Sequence, residues 1–231
     1  MNKLIHDAHE LITKSGVPYT VCGGFAIDLF LNRVNRKHTD FDISVFNEYR
    51  NDILSFMFSQ GWKIYQHVWD NAEIDHLVAI NSVDEERAQK VFCVWAVTTD
   101  CTLVTIEPQD EKNGIFSWKM ARNEHVNCDF IEICFDERVD DNLLCNKEHN
   151  ITRPLDKAIL HNDRIPYFSP EVGLYFKAAP VYLTWPKTIY DFYHTAHLLD
   201  DERRNWLIGA LKTTYPDGHE WIDRLVKKSL L

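Results

Sequence analysis

Apolar residues Leu4, Ile5, Ala8, Leu11 and Ile12 recur at helical spacing and predict a helix over residues 2–15. Gly16 is a natural stop and Pro18 a second break. A short apolar run, 19–22, then meets Gly23 and Gly24. An apolar helix-like segment follows at 25–31, then a basic loop at 33–38. Asp40-Phe41-Asp42 opens a second apolar run, 43–46. The order is strand, tight turn, helix, loop, strand. Ile53, Leu54, Met57 and Phe58 predict a helix over 47–60, ended by Gly61.

Beyond residue 61 the period changes. Short β-branched and aromatic runs at 62–68, 73–80, 91–97, 102–107 and 115–119 predict strands joined by polar turns. Asp84-Glu85-Glu86-Arg87 reads as a charged turn or short helix. A further strand is expected at 130–135, with Glu132 polar between Ile131 and Ile133. After an acidic loop, 136–141, the pattern turns helical. Thr152-Arg153-Pro154 fits a helix start, and Ser169-Pro170-Glu171 fits one better, with N-cap Ser, first-turn Pro and then an acid. Residues 200–215 and 217–231 read as two closing helices, the first capped by Asp200 or Asp201.

The stretch 22–46 carries chemistry. Glycine allows positive φ and lets a phosphate approach the backbone closely. A helix starting just after it points N–H groups and a positive dipole end at that phosphate. In a strand, residues i and i+2 share a face, so Asp40 and Asp42 are expected on one side. Two adjacent carboxylates repel unless a cation sits between them, and such hard oxygen pairs suit Mg²⁺ that also holds substrate phosphates. Phosphoryl or nucleotidyl transfer follows from that combination.

The paired glycines opening a helix, with Asp-x-Asp on the next strand, resemble the signature of the nucleotidyltransferase superfamily. The longer wording, G-G-F-A-I-D-L-F-L with R-K-H-T-D-F-D-I, is similar to the aminoglycoside 2''-adenylyltransferase-like family. Segments 151–177 and 186–192 resemble the same family. The resemblance implies an α/β (α+β) protein: a nucleotidyltransferase domain over 1–150, with a mixed sheet flanked by helices, and a C-terminal helical subdomain over 151–231. It also implies a third carboxylate on a neighbouring strand. Glu132 matches, and a carboxylate inside an apolar strand costs several kcal/mol unless paired or bound to metal. Asp129 is the competitor, three residues away and facing the other side of a regular strand.

Around this core stand the phosphate-binding candidates. Arg36 and His38 lead within the basic loop, ahead of Arg33 and Lys37. By resemblance, Lys177 and Lys187 are expected near the nucleotide phosphates. Asp191, four residues after Lys187, is placed to pair with it on a helix, while Thr188 stands where many relatives have an acid. Asp28 reads as a brace for the loop rather than a ligand. Asp75 and His76 lie in an alternating strand that could line the site.

Composition narrows the partners. Lysines and arginines number 25 against 35 acids, for a net charge of −10. That argues against nucleic acid held through its phosphates and fits a cationic acceptor. Six cysteines without a C-x-x-C pair read as reduced, mostly buried thiols of a cytoplasmic protein. Lys3, His6, Asp7, His9 and Glu10 interrupt any signal-like stretch, and no apolar run reaches membrane-spanning length. The implied reaction moves AMP from Mg·ATP, or another nucleoside triphosphate, to a hydroxyl of a small molecule such as an aminoglycoside, releasing pyrophosphate. A lincosamide-type acceptor, a protein or RNA acceptor, and a non-catalytic nucleotide-binding module are the other readings.

Overall fold

The computed structural model describes residues 3–70 and 74–227. Asn2, Glu73 and residues 228–231, which the expected elements include, lie outside the described residues. Contacts divide the chain into two compact units: Met1–Val21 with Arg36–Asp136, and Cys22–Asn35 with Glu137–Leu231. The division expected near residue 150 therefore differs from the contact boundary, and the helix after the glycines belongs with the C-terminal segment. The fold is α/β, as expected.

The first unit carries helix α1 (Lys3–Thr13), strands β1 (Thr20–Val21) and β2 (Asp42–Phe46), and helix α3 (Arg50–Ser59). The second unit's helix α2 (Gly23–Leu31) falls between these strands in sequence. Hairpin β3 (Lys63–Asp70) and β4 (Ile74–Ile80) follows, then short helix α4 (Glu86–Lys90), strand β5 (Cys93–Val97), hairpin β6 (Val104–Asp110) and β7 (Ile115–Met120), and strand β8 (Phe130–Val139). Their hydrogen-bonded order is β1-β2-β8-β5-β3-β4-β7-β6. β2 and β8 run parallel, and the other neighbours in this series are antiparallel.

Strand alternation sorts this sheet into two faces. Ile43, Val45, Val94, Ala96, Ile131 and Ile133 point one way and are buried, as are Leu4, Ile5 and Ile12 of α1 and Ile53, Leu54 and Met57 of α3. Arg50 ties α3 to α4 and to the residue that follows it. Its Nη1 donates to the carbonyls of Ala88 at 2.9 Å and Val91 at 2.7 Å, with the guanidinium 3.7 Å from the Phe135 ring centre. Burial lowers its pKa to about 10. The opposite face carries Asp42, Ser44, Glu132 and Cys134, and beyond them an aromatic cluster of Tyr65, Trp95, Trp118 and Phe130.

The chain departs from expectation from residue 136 on, where β8 continues to Val139 through most of the expected acidic loop. The second unit holds β9 (Asn142–Asn146), β10 (Ile151–Pro154), one-turn α5 (Leu155–Ala158), β11 (Ile159–Asn162) and β12 (Ile165–Phe168) before the helices resume. Thr152-Arg153-Pro154 thus ends a strand instead of opening a long helix. The physical reason is burial: Ile151 and Arg153 alternate inward with Thr152 and Pro154 outward. Helices α6 (Pro170–Lys177), α7 (Pro180–Leu183), α8 (Pro186–Thr195), α9 (Asp201–Thr214) and α10 (Glu220–Lys227) complete the unit. Ser169 occupies the N-cap position of α6 without bonding a helix N–H, whereas Asp200 caps α9 by accepting from the Arg203 N–H at 2.8 Å. α2 packs on α6, α8 and β12.

An ion network that runs from buried Arg153 and Glu171 out to exposed Glu202 and Lys157 fastens this unit. Arg153 is 2% exposed, and its Nη2 donates to Glu171 at 2.6 Å and Glu202 at 2.7 Å. Arg203 lies 3.5 Å from the other Glu171 oxygen, and Lys157 donates to Glu202 at 3.1 Å.

Candidate functional site

In the first unit the site is built on parallel strands β2 and β8. Asp42 lies directly opposite Glu132 in register, so their side chains leave the same face. Strand spacing puts the two residues about 5 Å apart. The pairing extends one residue outward, where the Glu132 N–H donates to the Phe41 carbonyl at 2.9 Å. Asp40 lies two residues before Asp42, just ahead of the strand rather than in it. All three carboxylates are half-buried. A donor set of hard, half-buried carboxylates fits a divalent ion such as Mg²⁺.

Asp129, the other candidate for the third carboxylate, is committed elsewhere. One of its oxygens accepts from the Thr102 N–H at 2.8 Å and from the Thr102 hydroxyl at 2.7 Å. Its second oxygen lies 3.5 Å from Nε2 of His125. His125 escaped the sequence reading. It is 3% exposed, and its N–H donates to the His38 carbonyl at 2.6 Å. Burial pushes its imidazole pKa down, against the opposing pull of Asp129 and Asp40. His125 lies edge-on to the Phe130 ring, with centroids 5.9 Å apart, and no spacing pattern in the sequence links it to Asp40.

The basic loop divides. His38 is buried, at 3% exposure. Arg36 is half-buried and its Nη1 donates to the Lys37 carbonyl at 3.0 Å. Lys37 pairs with Glu124 at 3.0 Å. Asp75 belongs to the aromatic cluster, accepting from Trp118 Nε1 at 2.7 Å and lying 2.7 Å from His67 Nε2. Burial raises its carboxyl pKa, but those two hydrogen bonds outweigh it and hold the group below the ordinary value.

Further along the carboxylate-bearing face, the Ser44 hydroxyl donates to Asp136, a carboxyl that burial pushes above its usual range despite that bond. Cys93 and Cys134, opposite one another on β5 and β8, form a disulfide with Cα atoms 4.1 Å apart. The expectation of six reduced thiols is corrected for these two. They are 41 residues apart in sequence, and only the strand register brings them together. Cys22, Cys101, Cys128 and Cys145 stand outside any disulfide.

The second unit holds the glycines and both lysines. Gly23 sits at φ +62° and opens α2, so the turn into this helix uses the backbone freedom of glycine. Gly24 is buried in the first turn. Asp28 braces the following loop by accepting from the Asn35 N–H at 3.0 Å. Lys177 pairs with buried Asp191 at 3.2 Å, so α6 shares the acid that the sequence associates with Lys187. Lys187 lies 5.3 Å from the Trp185 ring centre.

Among known proteins, the family model described as aminoglycoside-2''-adenylyltransferase matches residues 4–125. That span contains Gly23, Gly24, Asp40 and Asp42 but stops before Glu132, whose place beside Asp42 comes from the strand register. No curated protein sequence matches the chain. The solution structure of antibiotic-resistance factor ANT(2'')-Ia is similar at TM-score 0.50 and 15% identity, covering 93% of this chain and 92% of that one. The lincomycin-bound lincosamide antibiotic adenylyltransferase LnuA is similar at TM-score 0.51 and 14% identity, over 83% of this chain and 93% of its own. At such identities the likeness speaks for the fold.

Proposed function

Because the chain belongs to the aminoglycoside-2''-adenylyltransferase family, we propose that this adenylyltransferase moves AMP from Mg·ATP to a hydroxyl of an aminoglycoside-like polycation, releasing pyrophosphate. The observation that carries this reading is the placement of Asp42 abreast of Glu132 on parallel strands, with Asp40 just upstream. These three carboxylates would hold Mg²⁺, which supplies charge neutralisation at the α-phosphate and leaving group. Gly23, at positive φ, and Gly24 bring backbone N–H groups of α2 to the β- and γ-phosphates. Arg36, His38, Lys177 and Lys187 are the side chains assigned to the triphosphate. Glu132 completes the metal set or takes the acceptor's proton. The net charge of −10 favours a cationic acceptor over nucleic acid.

The test is pyrophosphate release from each Mg·NTP in the presence of aminoglycosides, lincosamides or no acceptor, with Asp42→Asn as control. Release with ATP that depends on an aminoglycoside and falls by about 10²-fold or more in the variant is the expected result. Release with lincosamides alone would transfer the assignment to that acceptor class. Absence of both release and calorimetric nucleotide binding would overturn the reading.

A further inference from the structure

Cys134 follows Glu132 by two residues on β8 and therefore shares its face. Cys93 stands directly opposite Cys134 on β5. One ligand atom from each of Cys93, Glu132 and Cys134 lies within 4.8 Å of the others, and all three residues are half-buried. In a tetrahedral zinc site with ordinary Zn–S and Zn–O bonds, ligand atoms sit about 3.8 Å apart. Small side-chain rotations therefore convert this cluster into a three-ligand set. Two thiolates and one carboxylate form a soft set that selects zinc over magnesium.

We propose that reduction of the Cys93–Cys134 disulfide opens a zinc-class metal site made of Cys93, Cys134 and Glu132. The chemistry balances. A dithiol reductant supplies two electrons and two protons, breaks the S–S bond, leaves two thiols and becomes a disulfide itself. A zinc ion then replaces the two thiol protons, which pass to solvent, and Glu132 donates a carboxylate oxygen. With three protein ligands, the tetrahedral ion keeps a fourth position for water. Glu132 would thus serve two kinds of ion: a hard one with Asp42 and a soft one with the cysteines. The consequence that zinc suppresses adenylyl transfer only in the reduced protein rests on the role proposed for Glu132 above, whereas the metal site itself does not.

Cobalt(II) is the probe, because thiolate ligands give it a charge-transfer absorption that carboxylates do not. The full-length chain is reduced, freed of reductant without air, and titrated with Co²⁺. The expected result is a thiolate-to-cobalt band that saturates at one ion per chain and is discharged by Zn²⁺. The band is lost in Cys93→Ser and in Cys134→Ser. It is also lost in oxidised wild-type protein, a control that needs no substitution and so does not depend on a variant folding. Glu132→Gln keeps the band and weakens binding by about tenfold or more. A reduced wild-type chain without the band overturns the proposal. So does a band of undiminished affinity in a Cys93→Ser chain with wild-type circular dichroism, because the five remaining thiols would then hold the metal without Cys93. Neither outcome depends on ATP, acceptor or turnover, so this result and that of the pyrophosphate assay are read separately.

Discussion

Glu132 and Asp129 differ by three positions in sequence and by everything in surroundings. Glu132 stands in register with Asp42, whereas Asp129 is bonded twice to Thr102. Glu132→Gln is therefore expected to lower kcat by about 10²-fold or more while leaving the thermal midpoint near wild type. Asp129→Asn should do the reverse: a stability loss of about 1–3 kcal/mol in urea titrations, with activity per folded molecule kept. Asp136 gives a sign test for burial. Its folded pKa is raised, chiefly by desolvation, so its stabilising contribution is present below the unfolded carboxyl value and is lost as pH rises through the folded one. Asp136→Asn keeps a group able to accept from Ser44 and removes the buried charge. Urea midpoints across pH should show the variant gaining on wild type as pH rises toward neutrality. Equal pH profiles for the two chains would count against this account.

Elements show where the sequence was readable and where it was not. The Gly23-Gly24 turn, α2, β2 and the strands through β8 were legible because period and turn chemistry are local properties. So was the loop brace by Asp28, a short-range contact. The stretch 142–168 misled because Thr152-Arg153-Pro154 has the wording of a helix start, while the buried pairing of Arg153 with Glu171 is a tertiary fact. His125 near Asp40, and Cys93 opposite Cys134, were invisible for the same reason. Two tests belong here. Gly23→Ala forces a Cβ onto a φ of +62° and should cost about 1–2 kcal/mol in thermal or urea unfolding. Arg153→Met leaves Glu171, which is 0% exposed, with only the longer contact to Arg203 at 3.5 Å, and a loss of about 3 kcal/mol is expected by the same methods.

At the scale of the molecule, the ion pairs of Glu202 make one contribution to stability in acid. Its hydrogen bonds to Arg153, the largest cause, and to Lys157 hold its pKa at about 2, below the ordinary 4.5. A depressed carboxyl stabilises the fold above its unfolded pKa, and that contribution fades as pH falls from about 4.5 to about 2. Far-UV circular dichroism through that window should show wild type losing stability more steeply than Glu202→Gln. The interleaving of the two units has a consequence for biosynthesis. The segment Cys22–Asn35 belongs with Glu137–Leu231, and α2 finds its packing partners in α6 and α8, which begin only at Pro170 and Pro186. A ribosome adding residues at ordinary speed needs on the order of ten seconds to reach them. Through that interval the apolar stretch from Phe25 to Leu31 has left the exit tunnel before α6 and α8 are made. A nascent chain of this protein is therefore expected to engage holdase chaperones, and its yield in expression trials should rise with chaperone supply.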